Sequence, residues 1–248
     1  MKKASALIII LCLVLCTGIF ASCDLNLTTQ TSQGLEFVSN GDGTCYVKSI
    51  GSCTDTNIVI PSKSPSGDRV TKIGDFAFSS NYELISVVIP NGVTHISKGA
   101  FWDCRKLEKV EIPNSVTEIG ESAFCWCDSL TSVKIPNNVK IIGVSAFQNC
   151  RALTNITIPD GVQSICDGAF EGCQSLTSVT IPGSVTTIGF AAFRNCNNLK
   201  SVSFKNTEGW RCENSVGQMK ISSADLANTS TAATYLTSTY NLATWYRD

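Results

Sequence analysis

Histidine occurs once in this chain of 248 residues, at His95, and methionine only twice. A Ser-His or Cys-His nucleophile therefore has a single candidate base. Charged residues make up 16% of the chain and the net charge is −1. That balance offers no electrostatic footprint for nucleic acid or for an anionic lipid surface. The sequence also lacks a phosphate loop, a dinucleotide fingerprint and a spaced metal motif, so no cofactor is expected. Two things are plentiful: apolar residues, at 43%, and cysteine, at 13.

The amino terminus is set apart. Lys2-Lys3 precedes an unbroken apolar run ending near Phe20, and small residues follow at Ala21-Ser22. A basic start, an apolar stretch and a small-residue exit describe a secretory signal over residues 1–22. As a permanent membrane span the run would be short. Phe20-Ala21-Ser22-Cys23 resembles the lipobox of bacterial lipoproteins, with Phe20 in place of the usual leucine. The resemblance implies that Cys23 is the acylated first residue of an exported chain, held on a membrane by its lipid. Residues 23–34 then form a tether rich in Thr, Ser and Gln.

The rest of the chain is periodic. Ile-Pro occurs at Ile60-Pro61, Ile89-Pro90, Ile112-Pro113, Ile135-Pro136, Ile158-Pro159 and Ile181-Pro182. After a first, longer gap the step is constant, about 23 residues, a period that signals a solenoid. Phe78, Phe101, Phe124, Phe147, Phe170 and Phe193 obey it, each preceded by alanine, and so do Leu84 to Leu199. Within one rung, Val110-Glu111-Ile112 alternates as a short half-buried strand, and Pro113 ends it. Gly120 is expected to supply a bend. The extra residues of the first gap fall in "SKSPSGDRV", a loop bulging from one turn. A single rung buries too few side chains to offset the entropy of ordering it, so stability belongs to the stack, whose ends need covers. Asn40-Gly41-Asp42-Gly43 between two alternating stretches predicts a hairpin over residues 35–55. After residue 205 the period is lost, and residues 206–248 read as a partly helical cap.

The unit AFxxCxxLxxVxIPxxVxxIG, recurring over residues 56–205, resembles the BspA-like class of bacterial leucine-rich repeats. The resemblance implies a right-handed leucine-rich superhelix of about seven short parallel strands, displayed on a cell surface. It further implies binding of proteins or other cells rather than catalysis.

Cysteine follows the same rhythm. Cys104, Cys127, Cys150, Cys173 and Cys196 each lie three residues after a ladder phenylalanine, with Asn81 in the slot of the first rung. Such a line offers no tetrahedron for zinc and poor geometry for disulfides, so these thiols read as buried structural residues. Cys125 is unmatched, in a column otherwise held by Ser79, Trp102, Gln148, Glu171 and Arg194, an exposed type of position. Cys45 and Cys53 lie close together in a cap that lacks a large core, and a disulfide between them is left open.

Aligned columns also give the outward surface. Glycoside chemistry needs a carboxylate pair, and neither outward strand column holds two adjacent acids. His95 shares a variable slot with Glu118, Ile141, Ser164 and Thr187, so no enzyme is expected. The distinctive features are a mixed charged patch, Glu108, Lys109, Glu111 and Lys134, and two tryptophans, Trp102 and Trp126, in otherwise polar columns. The patch reads either as ion pairs across adjacent strands or as a surface for a protein or glycan partner. The expectation is an exported, lipid-anchored protein of the cell surface or outer envelope, used in adhesion or host and cell interaction. The alternative is an envelope scaffold that binds another protein of the same cell.

Overall fold

The computed structural model describes residues 30–247. Each rung has three sides. The front side carries the strands Asn57–Val59, Ser86–Val88, Lys109–Glu111, Ser132–Lys134, Asn155–Thr157, Ser178–Ile181 and Ser201–Phe204, stacked in parallel. Their register steps by the repeat, with Val87 opposite Val110 and Val179 opposite Val202. Alternation follows from the sequence: in Lys109-Val110-Glu111 only Val110 points inward and is buried.

At the end of five of the seven front strands, the proline carbonyl accepts the N–H of the valine three residues on. Val116 to Pro113 is 3.1 Å, and the same turn recurs at Pro90, Pro136, Pro159 and Pro182. The chain then enters the back side, where two-residue strands such as His95–Ile96 and Glu118–Ile119 join one eleven-stranded sheet. The insertion of the first rung closes on itself, with Lys63 bridging Arg69 and the Ser64 N–H donating to Asp68 at 2.8 Å.

The third side is a ladder of turns. Here the N–H of each ladder phenylalanine but the last, Phe193, donates to the alanine carbonyl of the next rung, as in Phe101 to Ala123 and Phe124 to Ala146, all at 2.8 Å. The intervening residues donate within their own turn, Trp102 to Gly99 and Cys104 to Phe101. This alternation requires two left-handed residues per rung. One column runs Phe76, Gly99, Ser122, Ser145, Gly168 and Ala191; the other runs Ser80, Asp103, Trp126, Asn149, Gly172 and Asn195. Gly120, by contrast, is not left-handed. A Cβ there would sit 3.0 Å from backbone atoms of residues 97 and 98, so this glycine allows close rung contact and makes no bend.

Inside, the six ladder phenylalanines stack with centroids 5.1 to 5.5 Å apart and ring planes within 19° of parallel. Both ends are covered. The hairpin Glu36–Ser39 with Thr44–Ser49 adds to the back sheet through parallel pairing with Arg69–Ile73. The segment 30–34, part of the stretch read as tether, also docks: buried Ser32 donates its N–H to Val59, and its hydroxyl accepts the Val59 N–H. At the far end the cap is helical over Ser223–Ala227 and Thr229–Thr234, but it also contributes strands. Trp210–Asn214 and Gly217–Lys220 form a hairpin, and Thr244–Arg247 runs antiparallel beside Thr187–Ile188. Trp245 and Trp210, both fully buried, close over Phe204 at 6.3 and 5.3 Å.

Candidate binding surfaces

The front sheet carries Lys109, Glu111 and Lys134, with Glu108 just before its strand, and all four are exposed. Lys109 and Glu111 pair with each other, Nζ to Oε1 at 2.6 Å. The pair therefore runs along one strand, between side chains two residues apart, and not across strands. Among the described residues no ion pair involves Glu108 or Lys134. The front ladder is interrupted at this patch: the strand ending at Glu111 and the one ending at Lys134 belong to separate hydrogen-bonded sheets. A depression of about 510 Å3 lies there, lined by Val88, Pro90, Val110, Glu111, Pro113 and Lys134 among others. Apolar walls from the proline corners thus meet one unpaired cation. The proline columns and the charge were legible in the sequence; the break in the ladder was not.

Trp102 and Trp126 stand elsewhere, on the turn side. Trp102 is 38% exposed. Trp126 is half-buried, and the Arg151 guanidinium lies 5.0 Å from its ring centroid. Arg151 also approaches Asp128, Nη1 to Oδ2 at 3.8 Å. Beside them Asp103, a buried carboxylate, accepts from Arg105 Nε at 2.7 Å and from the Tyr82 hydroxyl at 3.0 Å. Tyr82 and Asp103 did not stand out in the sequence. Their signal was positional, since Tyr82 shares a column with Arg105, Asp128 and Arg151.

The ladder cysteines are buried, and each thiol donates to the phenylalanine carbonyl of the preceding rung, at 3.0 to 3.3 Å. Burial pushes the thiols of Cys104 and Cys196 up to about 12, and those of Cys127, Cys150 and Cys173 well above the usual range. Cys125, in a column expected to be exposed, is buried as well, with its thiol also pushed to about 12 by desolvation. Its Sγ faces Gln148 Oε1 at 3.6 Å. Gln148 in turn donates to Glu171 at 2.7 Å, and Arg194 Nε donates to the same carboxylate at 2.6 Å. The column is thus a chain of bonded side chains laid over the thiol. Cys45 and Cys53 are both free and buried. His95 lies on the back sheet, bonded to Thr94 Oγ1 at 2.7 Å and near Glu118 at 3.5 Å. No cluster of metal-binding side chains occurs among the described residues. Cys23 lies outside them.

The repeat geometry agrees with a family comparison. The profile of the BspA type leucine rich repeat region matches six copies, over residues 48–175 and 117–235. The chain belongs to the BspA-type leucine-rich repeat family. Solved structures similar to this BspA-type chain include a leucine-rich repeat protein of T. pallidum, 26% identical, with a TM-score of 0.53 over 68% of this chain and 90% of that one. A leucine-rich cell surface protein of Faecalibacterium prausnitzii is 30% identical, with a TM-score of 0.57 over 76% of this chain and 59% of the other. The pneumococcal vaccine antigen PcpA, 22% identical, shares the fold with a TM-score of 0.60 over 73% and 51%. No curated protein sequence matches significantly. Among the described residues no helix is long and apolar enough to cross a membrane.

Proposed function

We propose that this BspA-type chain is an exported, lipid-anchored surface protein that binds a protein partner through its front sheet, in adhesion or cell interaction. The observation that carries the reading is the interruption of the front ladder at Glu111 and Lys134, where an apolar depression meets an unpaired lysine. A partner segment with an apolar side chain beside a carboxylate suits that surface: the apolar group enters between the proline corners and the carboxylate meets Lys134. The cell-surface description of the F. prausnitzii relative supports the placement, and the lipobox-like Phe20-Ala21-Ser22-Cys23 supports the anchor. The leucine-rich repeat family to which the chain belongs supports recognition as its mode of action.

Protease shaving of intact cells tests the placement, with lysed cells as the control for cleavability. Release of peptides between residues 56 and 205 from intact cells supports display. Release only after lysis favours the envelope-scaffold role instead. Lys134→Glu is expected to weaken partner binding by roughly tenfold, chiefly through slower association that depends on salt, because an exposed interfacial charge acts on the encounter.

A further inference from the structure

The back sheet has two open ends that the front-sheet reading does not use. Its first strand, Glu36–Ser39, and its last, Gly217–Lys220, each have a neighbour on one side only among the described residues. Both are four residues long and hold no proline. An open edge offers unpaired N–H and C=O groups to another strand.

The two edges match each other in direction, backbone, side chains and charge. Glu36–Ser39 is antiparallel to Thr44–Ser49, which runs parallel to Arg69–Ile73. At the far end, three antiparallel steps lead from Thr187–Ile188 through Thr244–Arg247 and Trp210–Asn214 to Gly217–Lys220. Both edge strands therefore run opposite to the back strands of the rungs, and parallel to each other when copies stack end to end. The Ile221 N–H donates to the Trp210 carbonyl at 2.9 Å. Bonded pairs alternate along an antiparallel ladder, so Gln218 and Lys220 turn their N–H and C=O groups to the open side. The Asn40 N–H donates to Thr44 at 2.8 Å, so Phe37 and Ser39 do the same at the other edge.

Side chains add a second constraint. Met219 lies opposite the buried Cys212, and Phe37 opposite the buried Val47, so both face inward. Gln218 and Lys220 at one edge, and Glu36 and Val38 at the other, face outward. A parallel register with Gln218 beside Glu36 keeps outer beside outer and sets Met219, 47% exposed, beside the half-buried Phe37. In this same register the Phe37 N–H meets the Gln218 carbonyl, and the Lys220 N–H meets the Phe37 carbonyl. Lys220, exposed and in no ion pair among the described residues, then lies diagonally across from Glu36, a separation that long side chains span. Glu36 holds Ser49 Oγ at 2.9 Å and Lys48 Nζ at 3.5 Å, both on Oε2, which leaves Oε1 for a second cation.

We infer that the chain associates head to tail with further copies of itself. The Gly217–Lys220 edge of one copy pairs with the Glu36–Ser39 edge of the next, and the back sheet continues across the seam. A lysine on an open edge ordinarily guards against pairing. Here the guard finds its counter-charge on the opposite edge, whereas joining two Gly217–Lys220 edges would crowd the Lys220 and Arg211 side chains of both copies into one seam. Because the two edges differ, the contact is heterologous and copies add in a line rather than closing as a dimer. The front sheet takes no part, so this inference and the partner site fail separately.

The test is sedimentation velocity of the purified protein from low micromolar to submillimolar concentration, at low and at high salt. The mass is expected to rise past that of a dimer without settling at a fixed size, and to fall at high salt. Lys220→Glu and Glu36→Lys are each expected to weaken association roughly tenfold and to leave the melting temperature near the parent value. An equimolar mixture of the two variants is expected to regain association, because each seam again sets an acid against a base. A monomer at every concentration overturns the inference and leaves the edges to a strand of another protein. A closed dimer, or parent-like association of Glu36→Lys alone, overturns it in favour of like edges joining. A mixture no better than its separate variants overturns it as well.

Discussion

The Cys127 thiol donates to the carbonyl oxygen of Phe101, one rung back, at 3.2 Å. That carbonyl already accepts the N–H of Cys104, so the thiol serves its second lone pair in a place water does not reach. The sulfur fills space in the core and the S–H satisfies a backbone group, which explains a line of cysteines with no disulfide in it.

One consequence is sensitivity to alkali. Cys104, Cys125 and Cys196 are held neutral up to about 12 in the fold, against 9.0 for a free thiol. A raised folded value stabilises the fold fully below the unfolded value, and the contribution is lost as pH climbs through the folded one. Each buried thiol then removes about 1.4 kcal/mol of stability per pH unit above about pH 9. The urea midpoint is expected to fall steeply between pH 9 and 11, with little change between pH 7 and 8. A flat midpoint up to pH 11 contradicts this account.

The phenylalanine stack predicts a positional effect. Phe124 stacks on two rings, Phe101 and Phe147, whereas Phe78 stacks only on Phe101. Replacing a buried phenylalanine by alanine costs about 3–5 kcal/mol. Phe124→Ala is expected at the upper end and Phe78→Ala at the lower, measured by urea denaturation. The reverse order would show that ring stacking carries none of the difference.

The left-handed columns predict a stabilising change. Ser122 holds φ 54° and its side chain makes no hydrogen bond to the fold. Left-handed backbone costs a non-glycine residue roughly 1–2 kcal/mol, and glycine gives back about 0.4–1 kcal/mol through the unfolded chain. Ser122→Gly is therefore expected to raise the melting temperature by about 1–4 °C. Gly172→Ala is expected to lower it, because a Cβ there would also collide with the Asn149 side chain.

The carboxy-terminal cover can be probed through Trp245, whose indole N–H donates to the Tyr240 carbonyl at 3.2 Å while its ring lies over Phe204. Trp245→Ala is expected to cost about 3–5 kcal/mol and to expose the last rung to dyes that bind apolar surface. If dye binding stays at the parent level, the end of the core is sealed by the helices alone.

Much of this was legible because a repeat states its rule several times. The Ile-Pro, Phe and Cys columns alone place the front strands, the stacked core and the buried thiols. Single positions proved harder. Cys125 looked exposed because its column is polar elsewhere, yet Gln148 lies over it and the chain of bonds on to Arg194 keeps the column in place. Gly120 looked like a bend, but the bends belong to Ser122 and Trp126, whose residue types give no hint of a left-handed backbone. The carboxy-terminal strand Thr244–Arg247 was hidden because its partners, Thr187–Ile188 and Trp210–Asn214, lie far from it in the chain and the strand itself follows no period. The two tryptophans and the charged patch, adjacent in sequence, were parted by the corner of the rung.

The back sheet runs without a break through eleven strands, while the front ladder is divided into groups of three, two and two. A strip continuous along one side and jointed along the other is compliant in one direction. The joint between Glu111 and Lys134 lies at the edge of the front depression, which Lys134 lines from across it. Bending of the array is therefore expected to fall on that joint and on the one between Thr157 and Ser178, where neighbouring front strands share no ladder.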